Sequence, residues 1–267
     1  MKRFALPAPP NAEGMVHLYD KDYHYLARVR RLKAGSFFDA LLPGGGEVRV
    51  RVLSTADNIL IGECSAGTAK CAVENVAKGA PEPPIALFQA LAKGAKMDTI
   101  FRQAAEGGVS VVAPFESEYS DVRVSGGKTG GKTERWRRII RQARQQSGSA
   151  AETVARPPCS FPELMDYWES VKKDYRRPVG ILLHQEPLAT GSFHEYIQES
   201  PDFVALAVGP EGGFSPREVS LFQAAGFKPL LMGTTILRVE TAAVYGIAAL
   251  RIILLERESW TLKEYCS

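Results

Sequence analysis

The chain is poor in the residues that build metal and disulfide chemistry. It has only four cysteines and four histidines in 267 residues. Cys64, Cys71, Cys159 and Cys266 are scattered and form no C-x-x-C pair, which argues against a zinc site or a disulfide framework and fits a reducing, cytoplasmic setting. His17, His24, His184 and His194 show neither metal spacing nor a Ser-His-Asp order, and only His184 ends an expected core strand. No long hydrophobic run is present. The longest, Ala242 to Leu255, is interrupted by Arg251 and is too short to span a bilayer, so no membrane partner is expected. Pro7, Pro9, Pro10 and Asn11 break any apolar segment that could follow Met1-Lys2-Arg3 as a signal peptide. A large excess of one charge is also missing. The net charge is +3, so local distribution of charge matters more than the total.

What is present divides into two parts. Residues 1–76 read as a small β-barrel-like domain, with strands over Ser36–Leu42, Glu47–Leu53 and Ile59–Cys64, a turn at Pro43-Gly44-Gly45-Gly46, and a helix over Asp22–Arg31. Arg28, Arg30, Arg31 and Lys33 cluster there. Residues 77–84 (A-K-G-A-P-E-P-P) have linker composition. From residue 85 to 267 strands and helices alternate, which predicts an α/β fold with a mostly parallel sheet and helices on both faces. Strands are expected at Ile85–Leu91, Val109–Ala113, Val179–His184, Phe203–Val208 and Pro229–Met232. Helices are expected at Asp98–Glu106 with Asp98 as N-cap, Glu134–Gln146, Pro216–Ala225 and Thr241–Glu256 with Thr241 as N-cap. Ser215, Pro216 and Glu218 form a capping box with proline at the first helical position, and Gly226 follows as the C′ residue. The last helix is apolar nearly all round, so it is buried on most sides, either in the monomer or in a subunit interface.

Three motifs carry chemistry. Gly126 to Thr133 satisfies G-x-x-x-x-G-K-T, but the residues before it are not a buried strand and the helix after it is basic, so a P-loop is not expected. Arg123 to Arg144 holds eight Lys or Arg against one acid, Glu134. Arg135, Arg138, Arg141 and Arg144 follow one slowly drifting helical face, with Lys132 before them, and such a patch suits phosphates. Finally, Gly209-Pro210-Glu211-Gly212-Gly213 and Leu231-Met232-Gly233-Thr234-Thr235-Ile236-Leu237-Arg238 are two glycine-containing loops, each after a short apolar run and each before a helix. Loops at the C-terminal ends of parallel strands bind nucleotide-like ligands. The dinucleotide pattern G-x-G-x-x-G is missing, and the second loop has an apolar lining better suited to a base or thioether than to a pyrophosphate.

These last two motifs, V-G-P-E-G-G-F-S-P-R-E-V and L-M-G-T-T-I-L-R-V-E-T-A-A, resemble the ribosomal small-subunit RNA uracil-N3 methyltransferases of the SPOUT class. The resemblance extends to Gln89–Gly94, Ala105–Val109 and Glu134–Ile139. It implies a PUA-like barrel, a C-terminal trefoil knot, a homodimer, and methylation of N3 of a uridine in 16S ribosomal RNA of the small subunit. It also implies S-adenosylmethionine held by three loops: Leu183, His184 and onward to Glu186; Gly209, Pro210, Glu211 and Gly212; and Leu231, Met232, Gly233, Ile236 and Leu237. Arg238 is the candidate for stabilising charge on the uracil oxygens, with Glu240 orienting it; a local ion pair between the two is the plainer reading. The expected RNA contacts are Arg28, Arg30, Arg31, Lys93, Lys132, Arg135, Arg138 and Arg141. No metal is expected. The chain departs from the family pattern at Arg102-Gln103, Gly107 and Gln145–Ser149. A different RNA target, or an RNA-binding assembly factor without catalysis, are the alternatives.

Overall fold

The computed structural model describes residues 4–43, 46–66, 82–124, 129–149, 151–186, 188, 191–197 and 200–264. The chain folds as two units, one of residues 1–76 with 144–152, the other of 77–143 with 153–267.

In the first unit, β1 (Phe4–Ala5), β2 (Met15–Leu18), β3 (Phe37–Leu41), β4 (Glu47–Ser54) and β5 (Leu60–Ala66) form one curled sheet in the order β1-β3-β4-β5-β2. Only β1–β3 is parallel. Alternating residues point inward, and Phe38, Ala40, Val50, Val52 and Leu60 meet Leu26 and Tyr23 in one core. The two shortest strands, β1 and β2, were not anticipated from sequence. The expected helix at Asp22–Arg31 is instead a turn of α-helix, α1 (Asp20–Tyr23), running into a π-helical segment at His24–Val29. Gly44, Gly45 and residues 77–81 of the expected turn and linker lie outside the described residues.

In the second unit, six parallel strands run in the order β12-β10-β11-β6-β7-β8: β6 (Ile85–Ala90), β7 (Val111–Glu116), β8 (Val154–Ala155), β10 (Pro178–Leu183), β11 (Phe203–Val208) and β12 (Phe227–Leu230). The short β9 (Cys159–Ser160) also pairs with β7. Period-two alternation splits the strand side chains between two cores. Ile85, Leu87, Val204 and Leu206 face a core shared with α2 (Lys96–Glu106), α3 (Thr129–Ser147), α5 (Phe193–Ile197) and α7 (Val239–Glu264). Ala86, Phe88, Phe203 and Ala205 face a second core, against α4 (Phe161–Asp174) and α6 (Pro216–Ala224). Every residue of β6 and β11 is buried, as expected of central strands covered on both faces.

Several boundaries differ from the sequence reading for tertiary reasons. Helix α2 begins two residues before Asp98. Its N-cap position is Ala95, and Asp98 sits in the first turn, where it pairs with Arg135 of α3. Helix α7 begins at Val239, so Thr241 lies inside it rather than capping it. Helix α3 begins at Thr129, so Gly131 and Lys132 of the G-x-x-x-x-G-K-T stretch are helical rather than part of a phosphate loop, and among the described residues no strand lies between β7 and α3. Its inward face is Trp136, Ile140 and Ala143, at helical spacing, with Trp136 stacked on Phe101 at 4.5 Å. Helix α4 went unanticipated although Ser160-Phe161-Pro162-Glu163 forms a full capping box. Helix α7 is covered on most sides within one chain but leaves one stripe open. Ala243, Ile247, Leu250 and Leu254 are buried, while Tyr245 is 54% and Ile252 55% exposed.

The departure at Gly107 has a packing cause. A β-carbon there would come within 2.8 Å of Ile247 Cγ2. Arg251 of α7 also caps the end of α2, its Nε donating to the Gly107 carbonyl at 3.0 Å and its Nη2 to that of Gly108. Ile247 and Arg251 thus occupy the space a larger side chain would need.

Candidate active site

Three loops converge where β12, β10 and β11, three neighbouring strands, reach their C-terminal ends. Between them lies a cavity of about 430 Å³. Its lining includes Leu183, His184, Gly209, Pro210, Glu211, Leu231, Met232, Gly233, Ile236, Leu237 and Arg238. The fold therefore gathers these sequence-predicted residues around one volume, the size of a small-molecule site. Two candidates lie off the lining. Gly212 packs against Tyr119, and Glu240 sits in the first turn of α7. Gln185, Thr234 and Thr235, which lie within the expected loops, also line it, and Phe214 and Lys96 join them from outside those loops.

Each loop is held by its own bonds. The His184 amide donates to the Leu230 carbonyl at 3.1 Å, tying the first loop to β12, and its Nδ1 accepts the Glu186 amide at 3.1 Å. The second loop turns tightly. The Gly213 amide donates to the Pro210 carbonyl at 3.0 Å with φ +73° at Gly213, a conformation that favours glycine. Glu211 clamps this loop to the start of α2, accepting from Lys96 Nζ at 2.7 Å and from the Lys93 amide at 3.1 Å. Partial desolvation pushes the Glu211 carboxyl up, but the Lys96 ammonium and the backbone amides outweigh it and hold it below the usual glutamate range. Immediately after this loop, Ser215 and Glu218 form the capping box expected from sequence. In the third loop Ile236 is 85% exposed. The Arg238 carbonyl accepts the Ala242 amide at 2.8 Å as the chain enters α7.

The expected Arg238–Glu240 ion pair is not formed. Arg238 is exposed, and Glu240 Oε2 is buried without a hydrogen-bond partner. The lining combines apolar side chains with few charges, namely Lys96, Glu211 and Arg238, of which Lys96 and Glu211 neutralise each other. That chemistry suits a ligand with an apolar or aromatic body and no phosphate chain.

The basic residues fall in separate places. On α3, Lys132, Arg135, Arg138 and Arg141 are all exposed. Arg135 is paired with Asp98, whereas Arg138 and Arg141 form no ion pair among the described residues. Lys93 pairs with Asp121 at 2.8 Å, and that hydrogen bond and charge raise its pKa. In the first unit Arg28 and Arg31 are exposed, Arg30 is half-buried, and the Arg28 guanidinium lies 6.0 Å from the Tyr23 ring centre. Among the described residues no group of three or more His, Cys, Asp and Glu is placed to hold a metal. No helix among them is long and apolar enough to cross a membrane.

Known proteins share this arrangement. Residues 80–251 match the RNA methyltransferase domain family, and residues 18–64 match the RNA methyltransferase PUA domain. Ribosomal RNA small subunit methyltransferase E of Synechocystis is 33% identical over 91% of this chain and 74% of its own length. The protein of the same name from Aquifex aeolicus is 33% identical over 67% of this chain and 72% of its own. Among solved structures, ribosomal RNA small subunit methyltransferase E of Neisseria gonorrhoeae, determined with bound S-adenosyl methionine, superposes with a TM-score of 0.75 at 24% identity, covering 95% of this chain and 98% of that one. The fold is thus a mostly parallel α/β sheet with a PUA-type unit, and the chain belongs to the RNA methyltransferase family whose members include ribosomal RNA small subunit methyltransferase E.

Proposed function

We propose that this protein transfers a methyl group from S-adenosylmethionine to N3 of a uridine in 16S ribosomal RNA of the small subunit, acting in the cytoplasm. The observation that carries the reading is the three-loop cavity. It has an apolar lining, open backbone groups in glycine turns and almost no net charge, which fits an adenosyl thioether-like body and not a polyphosphate. Residues 1–76 serve as the RNA-binding domain, 77–84 as the linker, and 85–267 as the catalytic domain with a C-terminal trefoil knot.

When bound, S-adenosylmethionine supplies a methyl group already activated by its sulfonium. The protein's task is alignment and charge stabilisation. The backbone of Leu183–His184, Gly209–Glu211 and Leu231–Leu237 holds the cofactor. The Arg238 guanidinium, exposed at the cavity, stabilises the negative charge that grows on the uracil oxygens as N3 loses its proton. Glu240 Oε2, buried and unpartnered, is the acceptor available to orient Arg238 once RNA is in place. Arg138 and Arg141, with Arg28, Arg30, Arg31, Lys93, Lys132 and Arg135, contact the RNA. The target base must leave its stack to reach the cavity. The exposed apolar stripe of α7, Tyr245, Ile252 and Leu255, is the face on which a second copy docks to form the homodimer.

Three measurements test this. Calorimetry should show binding of S-adenosylmethionine and none of ATP. Nucleoside mass spectrometry of 16S ribosomal RNA from a strain lacking the gene should show loss of 3-methyluridine; its retention would sink the proposal. Arg238→Ala should keep cofactor affinity near that of the wild type while turnover falls by about 100-fold or more, the scale of losing one charge-stabilising donor.

A further inference from the structure

The turn after β7, Ser117 to Ser120, is tied down more firmly than any loop function assigned so far requires. Glu218 of α6, 1% exposed, accepts two bonds from this turn, from Ser117 Oγ at 2.9 Å and the Glu118 amide at 3.0 Å, and is itself fixed by the Ser215 amide at 3.0 Å. Ser120 Oγ donates to the Leu91 carbonyl at 3.0 Å, and its amide closes the turn on the Ser117 carbonyl at 3.0 Å. The residue presented by this fixed turn is Tyr119, which is 50% exposed and belongs to neither core of this unit. Its stem rests on the second cofactor loop: a β-carbon added at Gly212 would lie 3.3 Å from Tyr119 Cβ. Gly212 stands between Glu211 and Gly213, both of which line the cavity.

The charges around the turn are balanced. Lys93 pairs with Asp121, Arg123 with Glu116, and Arg217 with Glu118. Cations already paired, Lys93 among them, hold a phosphate less firmly than Arg138 and Arg141 of α3, which form no ion pair among the described residues. An aromatic side chain carried on a fixed turn amid balanced charge suits an unpaired nucleobase, because stacking needs only π surface and the backbone that places the ring is already ordered.

We infer that Tyr119 is a stacking platform for an unpaired base of the RNA substrate beside the target nucleotide. This rests on the RNA methyltransferase reading above. The platform sets where the strand lies relative to the cavity, and Tyr119 acts as a positioning residue, separate from the groups that hold the cofactor.

The test uses the full chain and protein-free small-subunit ribosomal RNA lacking the modification. Tyr119→Ala should weaken RNA binding about tenfold or more, the scale of one lost base stack, and raise the KM for RNA with little change in kcat. Tyr119→Phe and Tyr119→Trp should restore binding, and S-adenosylmethionine affinity should stay within about twofold in all three. Ultraviolet crosslinking of the wild type should place RNA on the peptide containing Tyr119, a readout that needs no variant to fold. Three results overturn the inference: RNA affinity unchanged in Tyr119→Ala with no crosslink at that peptide; cofactor affinity lost in Tyr119→Ala, which would make the ring a prop for Gly212; or a change of oligomeric state as the main effect. If the wild type binds neither S-adenosylmethionine nor ribosomal RNA, the methyltransferase reading itself fails. Failure of the platform alone leaves wild-type binding intact.

Discussion

Glu211 shows how one carboxylate shapes the site without entering the chemistry. It belongs to a glycine loop, yet its two partners come from the other end of the domain, with Lys96 115 residues away in sequence. Its folded pKa lies below the ordinary value of 4.5. The stabilisation it provides is therefore fully present above that value and is lost as pH falls through the lower folded value. Glu211→Gln should lower the melting temperature at neutral pH, and the gap from wild type should shrink as pH drops below about 4.5. Paired thermal melts across pH would check this; a gap that is constant down to acid would show that the carboxylate charge is not the source. Sequence alone placed Glu211 in a ligand loop but could not name Lys96. Nothing local to Lys96-Met97-Asp98 marks it, and only the sheet order brings the ends of β6 and β11 together.

The elements divide the same way between local and distant causes. The start of α6 was legible because Ser215, Pro216 and Glu218 specify it within four residues. The equivalent box at Ser160–Glu163 was equally written in the chain, and α4 could have been found from it. The starts of α2 and α7 were misplaced because the apparent caps lie inside the helices: Asp98 pairs with Arg135, and Thr241 is the third residue of α7. The two-residue strands β1 and β8 are too short for any periodicity to register. Gly180 belongs to the class that only packing explains. It pairs across the sheet with Phe227, whose ring covers it, and a β-carbon there would meet ring atoms at 2.7 to 2.9 Å. Phe227 cannot retreat easily, since it also contacts Trp168 and Phe222 at ring separations of 4.9 and 4.8 Å. Gly180→Ala should cost about 1–3 kcal/mol by overpacking, read as a melting temperature several degrees lower. An unchanged melting temperature would show that the aromatic cluster yields.

At the scale of the whole molecule, the exposed apolar stripe on α7 is the feature a single chain leaves unexplained. A charge placed in its middle opposes burial against a second copy. Ile252→Asp should convert a dimer to a monomer in light scattering after size exclusion, while the fold, judged by circular dichroism, persists because Ile252 makes no core contact in one chain. A dimer that survives this change would place the interface elsewhere. The strand order has a further outcome, in the order of synthesis. Strand β6 pairs on one side with β7, soon after it in the chain, but on the other with β11, where Ile85 meets Val204. A ribosome making this protein must produce more than a hundred residues after β6 before its second edge can close. Until then a strand that ends fully buried remains open to wrong partners. The nascent chain therefore depends on how fast the stretch between β6 and β11 is translated, and refolding from denaturant should be slow, as non-local parallel pairing requires.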